Sequence, residues 1–211
     1  MGNKEKDRKL TPAEEKRMKR FSEISEKLEA EGYRKTELTI SITVASLITI
    51  LAGIPLLILS IMLFHRINGI WGFSLGTGNT ASFLILMLVL TVVHELLHGA
   101  AWSLFCENGW KDIEFGFIVK SLTPYCTCAS PLPKWSYIMG AMTPLFVLGV
   151  VPYMIGLFSG NLYVLFMAVV MILGAGGDIM LVIRLLRFRS ESSEVLVYDH
   201  PTEAGSVVFE K

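Results

Sequence analysis

The sequence predicts an all-α integral membrane protein with about four transmembrane helices, an N-terminal amphipathic helix and short β-like cytoplasmic segments. Three observations predict it. Hydrophobic residues make up 52% of the 211-residue chain, and its mean hydropathy of +0.53 is too apolar for an ordinary soluble domain. Those residues gather in four runs, 38–64, 80–105, 136–158 and 162–186, each of at least 23 residues, where about 20 suffice to cross the hydrocarbon core. The charges are segregated: 11 of the 19 Lys and Arg lie in residues 1–37, and the runs hold almost none. Nucleic-acid binding needs a basic face free of such spans, so it is set aside. The chain accordingly divides into a charged tail (1–37), a four-span unit (38–187) and a second tail with short strands (188–211).

In the first tail, Thr11-Pro12-Ala13-Glu14 is a capping box with Pro at the first helical position. Met18, Phe21, Ile24 and Leu28 recur at helical spacing, and Gly32 can end the helix. Two surfaces are candidates to cover this apolar stripe: the protein's own cytoplasmic face, or the bilayer interface. No short hydrophobic region ends in a small-residue cleavage site, so the run from Leu38 is expected to be a retained anchor. Pro55 and Pro144 fall inside runs, where neighbouring helices tolerate a kink, and His65 is expected at the outer interface. Between runs two and three, Ile113, Phe115, Phe117 and Val119 alternate with Glu114, Gly116, Ile118 and Lys120, the period of a partly apolar strand. Thr123-Pro124 and Ser130-Pro131-Leu132-Pro133 read as turns. After the last run, Val195–Tyr198 and Ser206–Phe209 read as short strands either side of Asp199-His200-Pro201. A lone strand is marginal, so these pieces are expected to pair with one another or pack over the helices.

Lys and Arg alternate along the connections: 11 in the N-terminal tail, one in 65–79, three in 106–135, none in 159–161 and four at the C-terminal end. By the positive-inside rule both termini and the 106–135 loop are cytoplasmic. Membrane lipid is the expected surroundings, and a cell membrane the expected location.

His94-Glu95-Leu96-Leu97-His98 sits inside the second run. On a helix, residues four apart share a face, so both imidazoles can bind one Zn²⁺ while Glu95 stands beside the metal-bound water as a general base. Ionisable side chains in a membrane helix cost roughly 2.5–3.5 kcal/mol each on insertion scales, so they call for a functional reason. A catalytic zinc site takes three protein ligands and keeps a fourth position for water. Asp178, in Gly174-Ala175-Gly176-Gly177-Asp178, is the one acidic residue inside any other run. Counted at about 1.5 Å per residue from the outer ends of runs two and four, His94, Asp178 and His98 lie roughly 21, 24 and 27 Å deep. Asp178 is therefore the expected third ligand. The small residues before it, with Gly99 after His98, are expected to let the two helices approach closely, or to mark a local break.

His200 is the competing third ligand, if Asp199-His200-Pro201 folds back over the cytoplasmic mouth; its other reading is a polar turn. Cys106, Cys126 and Cys128 are odd in number and give no disulfide framework. Reduced cysteines are expected there, ahead of a soft metal site. Zinc is preferred to iron or copper because two histidines, a carboxylate and an adjacent Glu match hydrolytic zinc sites.

His94-Glu95-Leu96-Leu97-His98-Gly99, Phe115-Gly116-Phe117, Pro124-Tyr125-Cys126, the run around Pro144, and Gly177-Asp178 resemble the putative zincin peptidases, small multi-pass membrane proteins, over residues 30–200. The resemblance implies an α-helical membrane metalloprotease with His94 and His98 as ligands and Glu95 as catalytic base. The chain is more distantly similar to site-2 proteases, whose Asp on a later helix maps onto Asp178. They carry Asp-Gly after an Asn-Pro-type motif, whereas here Gly177 precedes Asp178 and Ile179 follows. The expected function is hydrolysis of peptide bonds in or near the membrane, in a membrane-associated protein or peptide, by a zinc-activated water. The 106–135 strand is a candidate edge for aligning an unwound substrate. The alternatives are a non-catalytic zinc-binding membrane protein, and a metal or proton transporter.

Overall fold

Thr11 starts the first helix, α1 (Pro12–Ala30), by the expected capping box: its hydroxyl accepts from the Glu14 N–H, and the Glu14 carboxylate accepts from the Thr11 N–H. The computed structural model describes residues 10–69, 77–118, 123–190 and 192–211. Phe21, Ile24 and Leu28 on the apolar stripe of α1 pack against Tyr198, Val207 and Phe209 of the C-terminal strands. The stripe is thus covered by the protein itself. Arg34–Thr39 follows as strand β1, which the sequence pattern did not suggest because its side chains are mostly polar. It lies at a sheet edge, where polar side chains stay in solvent.

The apolar runs become helices. Ser41 caps α2 (Ile42–Asn68), and α3 spans Thr77–Ser103. α4 (Lys134–Pro144) continues through a wide π-helical turn, Leu145–Val150, into α5 (Val151–Ser159). That turn follows Pro144, which supplies no N–H to the helical ladder. The fourth run, expected as one span, is two helices, α6 (Leu162–Gly174) and α7 (Gly176–Arg187), bent by 47°. Residues 174–177 are three glycines and an alanine; glycine weakens a helix by roughly 1 kcal/mol relative to alanine, and the break falls among them. Among the described residues, three helical stretches are long and apolar enough to cross a membrane, and the bent pair makes a fourth if it counts as one span. Ile50, Leu51, Ile54 and Met62 on α2, and Leu84, Ile85 and Leu88 on α3, are exposed surface of the kind that lipid covers.

The short strands form two sheets. β2 (Ile113–Ile118) and β3 (Thr123–Cys128) make an antiparallel hairpin. Val119 and Lys120 of the expected strand lie outside the described residues, as do 1–9 of the first tail and 70–76 of the first connection. Thr123-Pro124 belongs to β3 and is not a turn. Pro124 lies opposite Phe117 near the end of the hairpin, where its nitrogen faces away from β2 and no ladder bond is lost. β4 (Leu132–Pro133), β5 (Val195–Asp199) and β6 (Gly205–Glu210) join β1 in a second antiparallel sheet of order β1-β6-β5-β4. The C-terminal strands do pair with each other, and they recruit β1 from the opposite end of the chain.

Every connection to the sheets leaves from the same end of the helices. β1 runs into the start of α2, the hairpin follows the end of α3, β4 precedes α4, and β5 follows α7. The principal core sits there, where Trp102, Tyr137, Leu185, Val197 and Val208 meet between helices and sheet.

Candidate metal centre

His94 and His98 lie one turn apart in the half of α3 nearer the sheets, and both are buried. Their ring centroids are 4.8 Å apart and their Nε2 atoms 3.2 Å apart. Asp178 meets them from α7. The break at Ala175 sets this carboxylate in the first turn of a new helix, beside the positive end of its dipole. Its Oδ2 stands 3.2 Å from His94 Nε2 and 3.5 Å from His98 Nε2. The depth count from sequence is consistent with that meeting, although the straight fourth span it assumed is bent.

The His98 Nδ1–H donates to the Gly140 carbonyl at 3.0 Å, which leaves the Nε2 lone pair facing the other two donor atoms. Glu95 lies beside His94, and the backbone of Cys126 in β3 stands near its carboxylate. This carboxylate therefore faces the hairpin.

The close-packed glycines do a different job from the one expected. A Cβ on Gly99 would lie 2.8 Å from Ile113 and 2.9 Å from Phe115, so this glycine seats the hairpin on α3. A Cβ on Gly176 would lie 2.2 Å from Thr49 Oγ1, so that glycine seats α7 against α2. The approach that supports His98 is made by Gly140, where a Cβ would lie 2.0 Å from the Trp102 indole. Gly174 and Gly177 face open space.

The described residues contain one group of three or more potential metal ligands, His94, His98 and Asp178. His200 stands outside it. Its Nδ1 accepts from the Thr202 and Glu203 N–H groups, at 3.3 and 2.9 Å, and closes the turn between β5 and β6. Burial lowers the His200 pKa. His65 lies in the last turn of α2. Cys106, Cys126 and Cys128 are free and buried, and burial pushes the Cys126 and Cys128 thiols well up, the opposite of a ready thiolate. Sequence reasoning missed Trp102, Tyr137 and Asp199. The one signal for Trp102 was its place four residues after His98, on the same helix face.

The family model described as "Putative zincin peptidase" matches residues 87–193. The chain belongs to that family. No curated protein and no solved structure matches it. The matched segment contains His94, Glu95, His98 and Asp178, together with the hairpin and Gly140.

Zinc is the metal the family implies, and the donor set fits it. Four-coordinate zinc with bonds of about 2.0–2.1 Å keeps neighbouring ligand atoms about 3.3–3.4 Å apart. The three donor atoms here stand 3.2, 3.2 and 3.5 Å apart. Two imidazoles and a carboxylate are also the ligand chemistry of hydrolytic zinc.

Proposed function

We propose that the protein is a membrane-embedded zinc peptidase whose metal is held by His94 Nε2, His98 Nε2 and Asp178 Oδ2. One observation carries this reading: three donor atoms from two separate helices converge at zinc's own ligand spacing, with Glu95 beside them. When bound, zinc lowers the pKa of a water in its fourth position toward ~7 and polarises the scissile carbonyl. Glu95 takes the proton of the attacking water on its carboxylate and passes it to the nitrogen of the leaving amine. Burial of the two histidines keeps bulk solvent off their ligand atoms.

The outer edge of β3 is already covered, because its Cys128 N–H goes to the Asp199 carboxylate and its Cys126 backbone faces Glu95. In an antiparallel pair the residues opposite, Phe115 and Ile113, then also turn their N–H and C=O groups outward. We assign substrate strand addition to that outer edge of β2. The substrate is a membrane-associated protein or peptide. The charge count assigns both termini to the cytoplasm, so the sheets lie there and substrate enters from that side.

Zinc per chain in purified, detergent-solubilised protein tests the reading. Wild type is expected to hold about one zinc, and Asp178→Ala to lose it. Glu95→Gln is expected to keep zinc while losing peptide hydrolysis, a split that neither a non-catalytic zinc protein nor a transporter produces. No zinc in the wild type after reconstitution, or full zinc in Asp178→Ala, overturns the reading.

A further inference from the structure

Three aromatic rings stack in a row behind the metal centre. His98 lies against Trp102, with centroids 5.1 Å apart and planes 15° apart, and Trp102 lies against Tyr137 at 5.2 Å and 28°. The Trp102 Nε1–H donates to the Tyr137 carbonyl at 3.0 Å. At the far end of the row, the Tyr137 hydroxyl donates to Asp199 Oδ1 at 2.5 Å. The other Asp199 oxygen accepts from the Cys128 N–H at 2.9 Å. Asp199 is the last residue of β5, beyond the segment 87–193 that the family model matches.

We propose that Asp199 is a positioning residue for the metal centre, through which the C-terminal sheet sets the orientation of Trp102, and so of His98, by way of Tyr137. The proposal rests on the zinc reading above. A ligand imidazole must hold its lone pair within a narrow range of directions, and its supporting contacts decide whether it does. The bond from His98 Nδ1 to Gly140 fixes one direction of the ring and leaves rotation about that bond. The indole plane of Trp102 blocks the rotation. Trp102 in turn lies on the Tyr137 ring, whose tip is held by Asp199 alone among the hydrogen bonds described for that hydroxyl. Asp199→Asn leaves one oxygen for two donors, the Tyr137 hydroxyl and the Cys128 N–H, so one of them loses its acceptor and the Tyr137 ring shifts to compensate.

Co²⁺ is the probe, bound to the full-length protein in detergent, with affinity read by titration and ligand geometry by the visible d–d bands. Asp199→Asn and Tyr137→Phe are each expected to weaken Co²⁺ binding by up to about tenfold and to displace the bands. In the Tyr137→Phe background, Asp199→Asn is expected to add less than about a further twofold, because the two act through one contact. Thermal unfolding of the metal-free proteins separates a structural effect. A lower Tm with unchanged affinity and bands in the folded variants overturns the proposal. If Asp199→Asn does not fold, Tyr137→Phe decides alone, since it removes only the hydroxyl. Absence of Co²⁺ binding by the wild type overturns the metal reading and this proposal with it. Wild-type binding that neither substitution alters overturns this proposal and leaves the metal reading standing.

Discussion

α2 and α3 are each 27 residues long, and both are apolar enough to cross a membrane, yet their polar side chains are put to different uses. On α2 they bond to their own helix and to α5. Ser60 Oγ donates to the Leu56 carbonyl at 2.6 Å and accepts from the Tyr153 hydroxyl at 3.1 Å. Asn68 donates to the Phe64 carbonyl at 3.1 Å and to the Leu157 carbonyl at 3.0 Å. On α3, His94 and His98 meet each other, Asp178 of α7 and the Gly140 carbonyl of α4. Neutral polar groups that pair off one by one show how a span tolerates lipid. Ionisable groups from two helices that converge on one point show a candidate site.

The largest effects that sharpen this contrast belong to α3. Glu95→Gln is expected to lower the rate of peptide hydrolysis by about 10²–10⁴-fold, as loss of a general base does. His98→Ala is expected to lose bound metal altogether, read as zinc per chain. On α2, Ser60→Ala is expected to leave metal content unchanged and to cost about 1 kcal/mol in stability, because the Tyr153 hydroxyl loses its partner at 3.1 Å. Metal lost from that variant would break the comparison.

Next come the glycines that seat the two helices. Gly140→Ala forces a Cβ to within 2.0 Å of the Trp102 indole. Overpacking of this kind costs about 1–3 kcal/mol, and metal affinity is expected to fall with stability because Trp102 backs His98. Gly176→Ala meets Thr49 on α2 at 2.2 Å, where a threonine side chain can turn aside. A cost of about 1 kcal/mol is expected, and it should be recovered by adding Thr49→Ala. Equal losses of metal at the two glycines would mean that α2 supports the site as closely as α4 does.

The smallest effect lies outside both helices. Arg20 by a hydrogen bond, and then Lys16, hold the Glu114 carboxyl at about 2, below its ordinary 4.5, and so tie α1 to the hairpin. The folded pKa is the lower one, so this contribution is fully present above about pH 4.5 and is lost as pH falls toward about 2. Glu114→Gln is expected to cost under about 1 kcal/mol near neutral pH and to flatten that acid limb of the Tm profile. Its metal content should match the wild type.

The candidate metal ligands were legible because their side-chain types and spacing carry the chemistry. His94 and His98 share a helix face by spacing alone, and Asp178 stands out as the lone carboxylate in an apolar run. Alternation exposed β2. β1 escaped notice because an edge strand needs no apolar face, and β3 because Pro124 mimics a turn. The supporting contacts could not be read at all. Gly140 acts through its backbone C=O, which every residue possesses, and Asp199 counts only once the sheet has carried it to Tyr137. Gly99, Gly140 and Gly176 were visible as small residues, but what each one approaches is decided by packing.

His94 and Asp178 are separated by 84 positions in the chain. During synthesis the HExxH helix exists long before the last helix pair does. With this ligand set, a nascent or truncated chain that stops short of α7 carries the whole motif but only two of the three ligands. Under the proposed ligation, metal capture is a late event in biogenesis, and holding the ion certifies that the final pair has docked. The proposed centre stays incomplete until α7 is in place.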